Sequence, residues 1–138
     1  MDWADLGDPK PRASIVGYTP LVWPDGERTV LTQEIPATPD FREVALSRRT
    51  RRAFSQLSIE ALGALLRLTA KRQQWGSSEL GFTVERRPTP SAGAIHPIHL
   101  VFAGPGSVAW RRYVPASLEL RVIDGAPPPA TALEAMQQ

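Results

Sequence analysis

Arg48, Arg49, Thr50 and Arg52 stand close together in the chain, and Pro90, Ser91, Ala92 and Gly93 follow about forty residues later. The first group suits a phosphate. A guanidinium is a rigid fork of donors that meets phosphate oxygens in pairs, and a threonine hydroxyl adds a further donor. The second group has little side chain, so backbone N–H and C=O groups can come close to a flat ring, while Pro90 and Pro97 stiffen the ends of the segment. A flavin mononucleotide (FMN) carries a phosphate at one end and a planar ring at the other, and the two groups together match those needs. In such sites the flavin does the redox chemistry and the protein orients it, so no catalytic acid or base is singled out. Plainer readings stand beside this one: a solvated basic face for the arginines and a simple turn for residues 90–94.

Elements must hold these groups in place. Residues 1–39 carry six of the 14 prolines and read as an extended arm. Within it, residues 14–18 and 29–32 are expected as short edge strands, with a turn at Pro24, Asp25 and Gly26. The sequence leaves open whether the arm lies on its own domain or on a second subunit. A second segment, residues 40–138, forms the domain proper. Asp40 caps a short helix, with Glu43 placed for a capping box, and this helix runs into the arginine cluster. Ser58 caps a second helix, in which Ile59, Leu62, Leu65, Leu66 and Thr69 recur at helical spacing as far as about Lys71. Gly63 in its middle costs about 1 kcal/mol against alanine and so implies close packing against a neighbour. Residues 73–78 read as a loop and 81–86 as a strand. A three-stranded meander follows over residues 98–102, 108–114 and 118–123, turning at residues 104–106. Residues 131–138 suffice for two helical turns.

Composition sets the bounds. The 138 residues are 42% hydrophobic and 22% charged, as in an ordinary globular protein, and fit one domain with a real core. The absence of cysteine removes disulfides, thiolate metal sites and cysteine nucleophiles. No apolar run has the ~18 residues needed to cross a bilayer, and the first residues lack a secretory layout, so the expectation is a cytoplasmic protein with no membrane. A net charge of +2 is small. The Arg86–Arg87 and Arg111–Arg112 pairs have no recognised nucleic-acid module beside them, so no nucleic-acid partner is expected. His96 and His99, three apart in a strand interrupted by Pro97, are expected on opposite faces rather than on one metal. Trp75 and Trp110 are expected in the core or at its rim.

The order of these features resembles the flavin-dependent nitroreductase superfamily, most closely its branch of SagB-type dehydrogenases and azoline oxidases. That family enters from a short helix into an Arg-Arg-Ser-x-Arg-x-Phe pattern, here residues 48–54. A leucine-rich helix follows, here 58–72, then Pro-Ser-Ala-Gly-Ala, here 90–94, then a strand at 97–102 and a hairpin from Trp110 to Leu120. The resemblance covers residues 40 to about 123. It implies an α+β, nitroreductase-like fold with a mixed or antiparallel sheet flanked by helices. It also implies FMN phosphate contacts from Arg48, Arg49, Thr50 and Arg52, ring contacts from Pro90, Ser91, Ala92 and Gly93, and NAD(P)H or substrate as electron donor. Family members are homodimers with the flavin in the interface. His96 stands where the SagB-like branch often has tyrosine.

Known members continue well past the equivalent of Gln138, through an interface helix, a glycine-containing segment and a further basic phosphate ligand. The expectation is therefore a truncated version of the fold, completed by a homodimer or by a complementary subunit. Loss of the interface helix is expected to bare the Leu62 and Leu66 face, which argues for association. Two functions follow: an FMN-dependent oxidoreductase or a subunit of one, and a flavin-free relative that serves as a binding or structural partner.

Overall fold

The computed structural model describes residues 19–50, 52–53, 55–104 and 107–136. The strand expected at 14–18, Arg51, Phe54 and the centre of the turn at 104–106 lie outside them. The fold is α+β with antiparallel sheets. Strands β1 (Asp25–Val30), β4 (Val101–Phe102), β5 (Arg111–Val114) and β6 (Glu119–Ile123) form one sheet in the order β1-β6-β5-β4. Strands β2 (Gln74–Ser77) and β3 (Thr83–Arg86) form a separate hairpin. The helices are α1 (Phe41–Ser47), α2 (Ile59–Ala70) and α3 (Pro129–Met136), with a short 3-10 turn at Ala92–Ala94.

Both expected caps form. The Asp40 carboxylate accepts the Arg42 amide at 2.7 Å, and the Ser58 hydroxyl accepts that of Ala61 at 3.2 Å. In α2 the helical period points Gly63, Ala64, Leu66 and Ala70 inward. Leu66 and Ala70 join Leu31, Tyr113, Leu118 and Leu120 in the core, with Leu62 and Phe102 packed against it. The face of Leu62 and Leu66, expected to be bare, is thus covered by the protein's own sheet and by Leu31. What α2 exposes instead is Ile59, Leu65 and Leu68. Gly63 packs closely, as its place in the helix implied: a Cβ there would sit 3.2 Å from Thr32 Cγ2 and 3.3 Å from Leu31 Cβ.

Alternation along β5 and β6 sorts the sheet's two faces. Tyr113 lies opposite Leu120 on the core side, and Arg112 lies opposite Arg121 on the other. Like charges in direct opposition repel. Asp25 answers both, accepting from Arg112 Nε at 3.2 Å and from Arg121 Nη1 at 3.2 Å. The turn expected at Pro24, Asp25 and Gly26 is therefore the start of β1, which bulges between Asp25 and Arg28 in its pairing with β6. Residues 25–31 of the proline-rich arm lie on their own domain, with Leu31 N donating to Leu118 O at 3.0 Å.

The loop expected at 73–78 contains β2. It pairs with β3 through Trp75 opposite Glu85 and turns where Ser78 N donates to Phe82 O at 2.9 Å. Its strand carries no buried side chain, so it has no apolar alternation to reveal it. Of the first meander strand, expected over 98–102, only Val101 and Phe102 are regular. No helix among the described residues is long and apolar enough to cross a membrane.

Candidate functional site

Residues 95–100, between the 3-10 turn and β4, close one side of a cavity of about 570 Å³. Its other walls come from the end of α2 (Thr69, Ala70, Arg72), from β3 and the chain after it (Glu85, Arg87), and from β5 (Arg112, Tyr113). That volume is within the usual range for small-molecule sites, about 300–1,000 Å³. Three hydrogen bonds tie the walls together. Arg72 N donates to Pro115 O at 3.1 Å, Thr89 N to Thr69 O at 3.1 Å, and Tyr113 N to Leu100 O at 2.9 Å.

The segment 90–96 is shaped by its small residues. Gly93, Ala94 and His96 all take left-handed backbone, with φ of 66°, 54° and 49°. Glycine adopts that region freely, whereas alanine and histidine do so only where their surroundings hold them. Here Ser91 Oγ accepts the His96 amide at 2.9 Å, and the His96 ring donates from Nε2 to the Glu85 carbonyl at 3.1 Å. The first bond closes the segment on itself, and the second pins it to β3 and turns His96 inward. His96 and His99 consequently line the same cavity. The expectation of opposite faces fails because the backbone between them is not a regular strand.

Charge is concentrated on the walls. Glu85 accepts from Arg87 Nε at 2.8 Å and from Arg72 Nη1 at 3.2 Å, serving two guanidinium groups with one carboxylate. Trp23, ahead of β1, lies with its ring centre 5.4 Å from that of His99, and the Arg112 guanidinium is 5.6 Å from the same indole. Burial, then the positive charges of Arg112 and Arg87, hold His99 below the ordinary histidine range. Tyr113, buried in the core, is pushed up to about 12 by the loss of solvent around its phenol. Among the described residues no group of three or more His, Cys, Asp or Glu side chains is arranged to hold a metal ion.

The expected site residues divide. Pro90 and Ser91 line the main cavity, and the same two residues border a shallower one of about 410 Å³ that runs along Trp75, Arg86 and His96. Ala92 and Gly93 are exposed beside them. Arg48, Arg49, Thr50 and Arg52 are exposed and are among the lining residues of neither cavity. Arg72, Arg87, Arg112 and the two histidines are the chemistry-bearing residues that the motifs did not single out. The signal for two of them lay in the Arg86–Arg87 and Arg111–Arg112 pairs, since neighbours in an extended chain point to opposite sides and one member of each pair turns to the main cavity. Trp75 is 68% exposed, outside the core, and carries Arg72 at 5.9 Å from its ring centre. Trp110 is half-buried and donates its indole N–H to Pro127 O at 3.0 Å.

Compared with protein-family models, with curated proteins and with solved structures, the chain matches none.

Proposed function

We propose that the chain is an FMN-dependent oxidoreductase of the nitroreductase kind, or a subunit of one, with the flavin ring in the main cavity. The observation that carries this reading is the meeting of Pro90 and Ser91, the start of the small-residue motif, with a cavity that has cations on its walls. The residues fit a ring: Ile95, Pro97, Ile98 and Leu100 offer apolar surface, and Ser91 to Gly93 leave the backbone approachable. When bound, the flavin would supply hydride and electron transfer, with NAD(P)H or the substrate as donor. Pro90, Ser91, Ala92 and Gly93 would orient the ring, and the left-handed backbone at Gly93 and Ala94 would keep side chains off its edge.

The phosphate end divides the alternatives. Arg48, Arg49, Thr50 and Arg52, all exposed, fit the phosphate of a flavin seated in a second copy of the chain, which makes the homodimer part of this reading. The same exposure favours the second reading, a flavin-free relative whose basic segment docks on a protein partner.

The visible absorption spectrum of the purified protein, followed by FMN titration, separates the two. Flavin bands are expected, with FMN binding weakened about tenfold to a hundredfold by Arg52→Ala, which removes a charge-assisted hydrogen bond, and abolished by Ser91→Trp, which puts a bulky ring on the cavity wall. Colourless protein that takes up no FMN would sink the oxidoreductase reading.

A further inference from the structure

The walls of the main cavity do not balance their own charge. Arg72, Arg87 and Arg112 line it, against Glu85 as the one carboxylate among its described lining residues. Glu85 is divided between Arg72 and Arg87. The carboxylate that meets Arg112 is Asp25, which is shared with Arg121, and Arg121 has Glu119 as a second partner, so three carboxylates answer four guanidinium groups and one positive charge is left over. Arginine stays protonated in proteins, so this surplus is permanent. His99 stands in the same field, flanking Trp23 on one side as Arg112 does on another. The indole N–H of Trp23, which is not among the cavity's lining residues, is buried and has no hydrogen-bond partner among the described residues.

We propose that the Arg87, Arg112 and His99 wall is the seat of an oxyanion on the cavity's ligand, a phosphate or a carboxylate, and that this oxyanion is bound together with a proton on His99. The inference rests on reading the cavity as a ligand site, but not on the ligand being a flavin. The charged and titratable groups that line the cavity with His99 are Arg72 at the end of α2, Glu85 of β3 and Arg87 after it, His96 in the preceding loop, and Arg112 and Tyr113 of β5; Asp25 of β1 and Arg121 and Glu119 of β6 continue the ion-pair network from Arg112. The guanidinium groups oppose an imidazolium, and the carboxylates paired with them are one too few to cancel their charge. An incoming negative charge reverses that balance and favours the protonated ring. A site that takes up a proton with its ligand binds that ligand more tightly as the pH falls.

The chain has two histidines, so their ring signals in an NMR spectrum can be assigned with one variant, His96→Gln. The experiment is a pH titration of both rings between about pH 5 and pH 8. It is run with and without millimolar sulfate, whose charge is constant over that range, and with benzoate as a flat carboxylate, at fixed ionic strength. Sulfate or benzoate is expected to raise the midpoint of His99 by about half a unit or more, the effect of one nearby opposite charge. Binding of the same anion is expected to be several-fold tighter at the acid end of the range. Arg87→Gln should remove most of the shift and Arg112→Gln the rest, whereas Arg42→Gln, an exposed charge on α1, should leave it in place. If Arg112→Gln unfolds because Asp25 loses one of its two partners, Arg87→Gln decides alone.

A sulfate response with no benzoate response identifies a phosphate seat, and the reverse a carboxylate seat. No movement of His99 with either anion, or a shift that survives Arg87→Gln, overturns the proposal. Loss of FMN binding with the anion response intact would remove the flavin reading alone.

Discussion

Helices α1 and α2 begin alike and end in different situations. Each has a side-chain cap, at Asp40 and at Ser58, and an acidic residue in its first turn. Helix α2 buries four residues against the sheet, whereas α1 buries none and leaves Phe41 85% and Leu46 78% exposed. A cap decides where a helix starts, but a seven-residue helix gains little from that alone, because isolated helices below about 12–15 residues are marginal in water. Stability in this protein therefore resides where the apolar stripe of α2 meets Leu31, Tyr113, Leu118 and Leu120. The arginine cluster follows α1, on the unpacked side of this contrast, while the cavity arginines are held by the packed side.

The strongest way to break the contrast is a matched pair of truncations. Leu66→Ala, at a side chain 2% exposed, is expected to cost about 2–5 kcal/mol in denaturant unfolding. Phe41→Ala removes a larger side chain from α1 and is expected to change stability by no more than about 0.5 kcal/mol. A comparable loss at both would mean that α1 is packed in solution, as it would be against a second copy. A smaller effect sharpens the same point from the backbone. Gly63→Val would press branched carbons on Thr32 and Leu31, where even a Cβ sits at 3.2–3.3 Å, and is expected to cost about 1–3 kcal/mol, read as a lowered denaturant midpoint with unchanged slope.

A further effect is one of pH. Tyr113 keeps its proton up to about 12 in the folded protein and loses it near 10 when unfolded. The folded state thus binds more protons between those values, so its contribution to stability is complete below pH 10 and is lost as the pH rises towards 12. Tyr113→Phe should flatten that stretch of the stability profile, at a cost near neutrality of about 1 kcal/mol for the long hydrogen bond from its hydroxyl to Leu66 O, 3.5 Å. An unchanged alkaline slope would show that another group governs it.

Much of the packed half could be read in advance because its signals are local. The period of α2, the serine before it and the glycine inside it each name a neighbour in the chain or a close approach, and β5 and β6 stand out as short runs on either side of a tight turn. What escaped has nonlocal causes. Strand β2 exists through its backbone pairing with β3 and has no buried side chain to mark it. The inward turn of His96 depends on positive φ at Ala94 and at His96 itself, which no residue type there announces. The cavity's cations stand at residues 72, 87 and 112, brought together only by the fold, whereas the arginines at 48–52 attract notice because they are adjacent in sequence.

The sheet order has a consequence in time. Strand β1 ends at Val30 and its partner in the sheet among the described residues, β6, begins at Glu119, so the two are separated by most of the chain. At ribosomal rates of about 5–20 residues per second, roughly 5–20 s pass between their synthesis. The hairpin of β5 and β6 closes over a short loop, but pairing with β1 must recruit a distant segment, the kind of long-range step that slows folding. Until it arrives, the groove beside Gly63 that receives Leu31 and Thr32 stays open to water, and an apolar segment of another nascent chain would find the same vacancy.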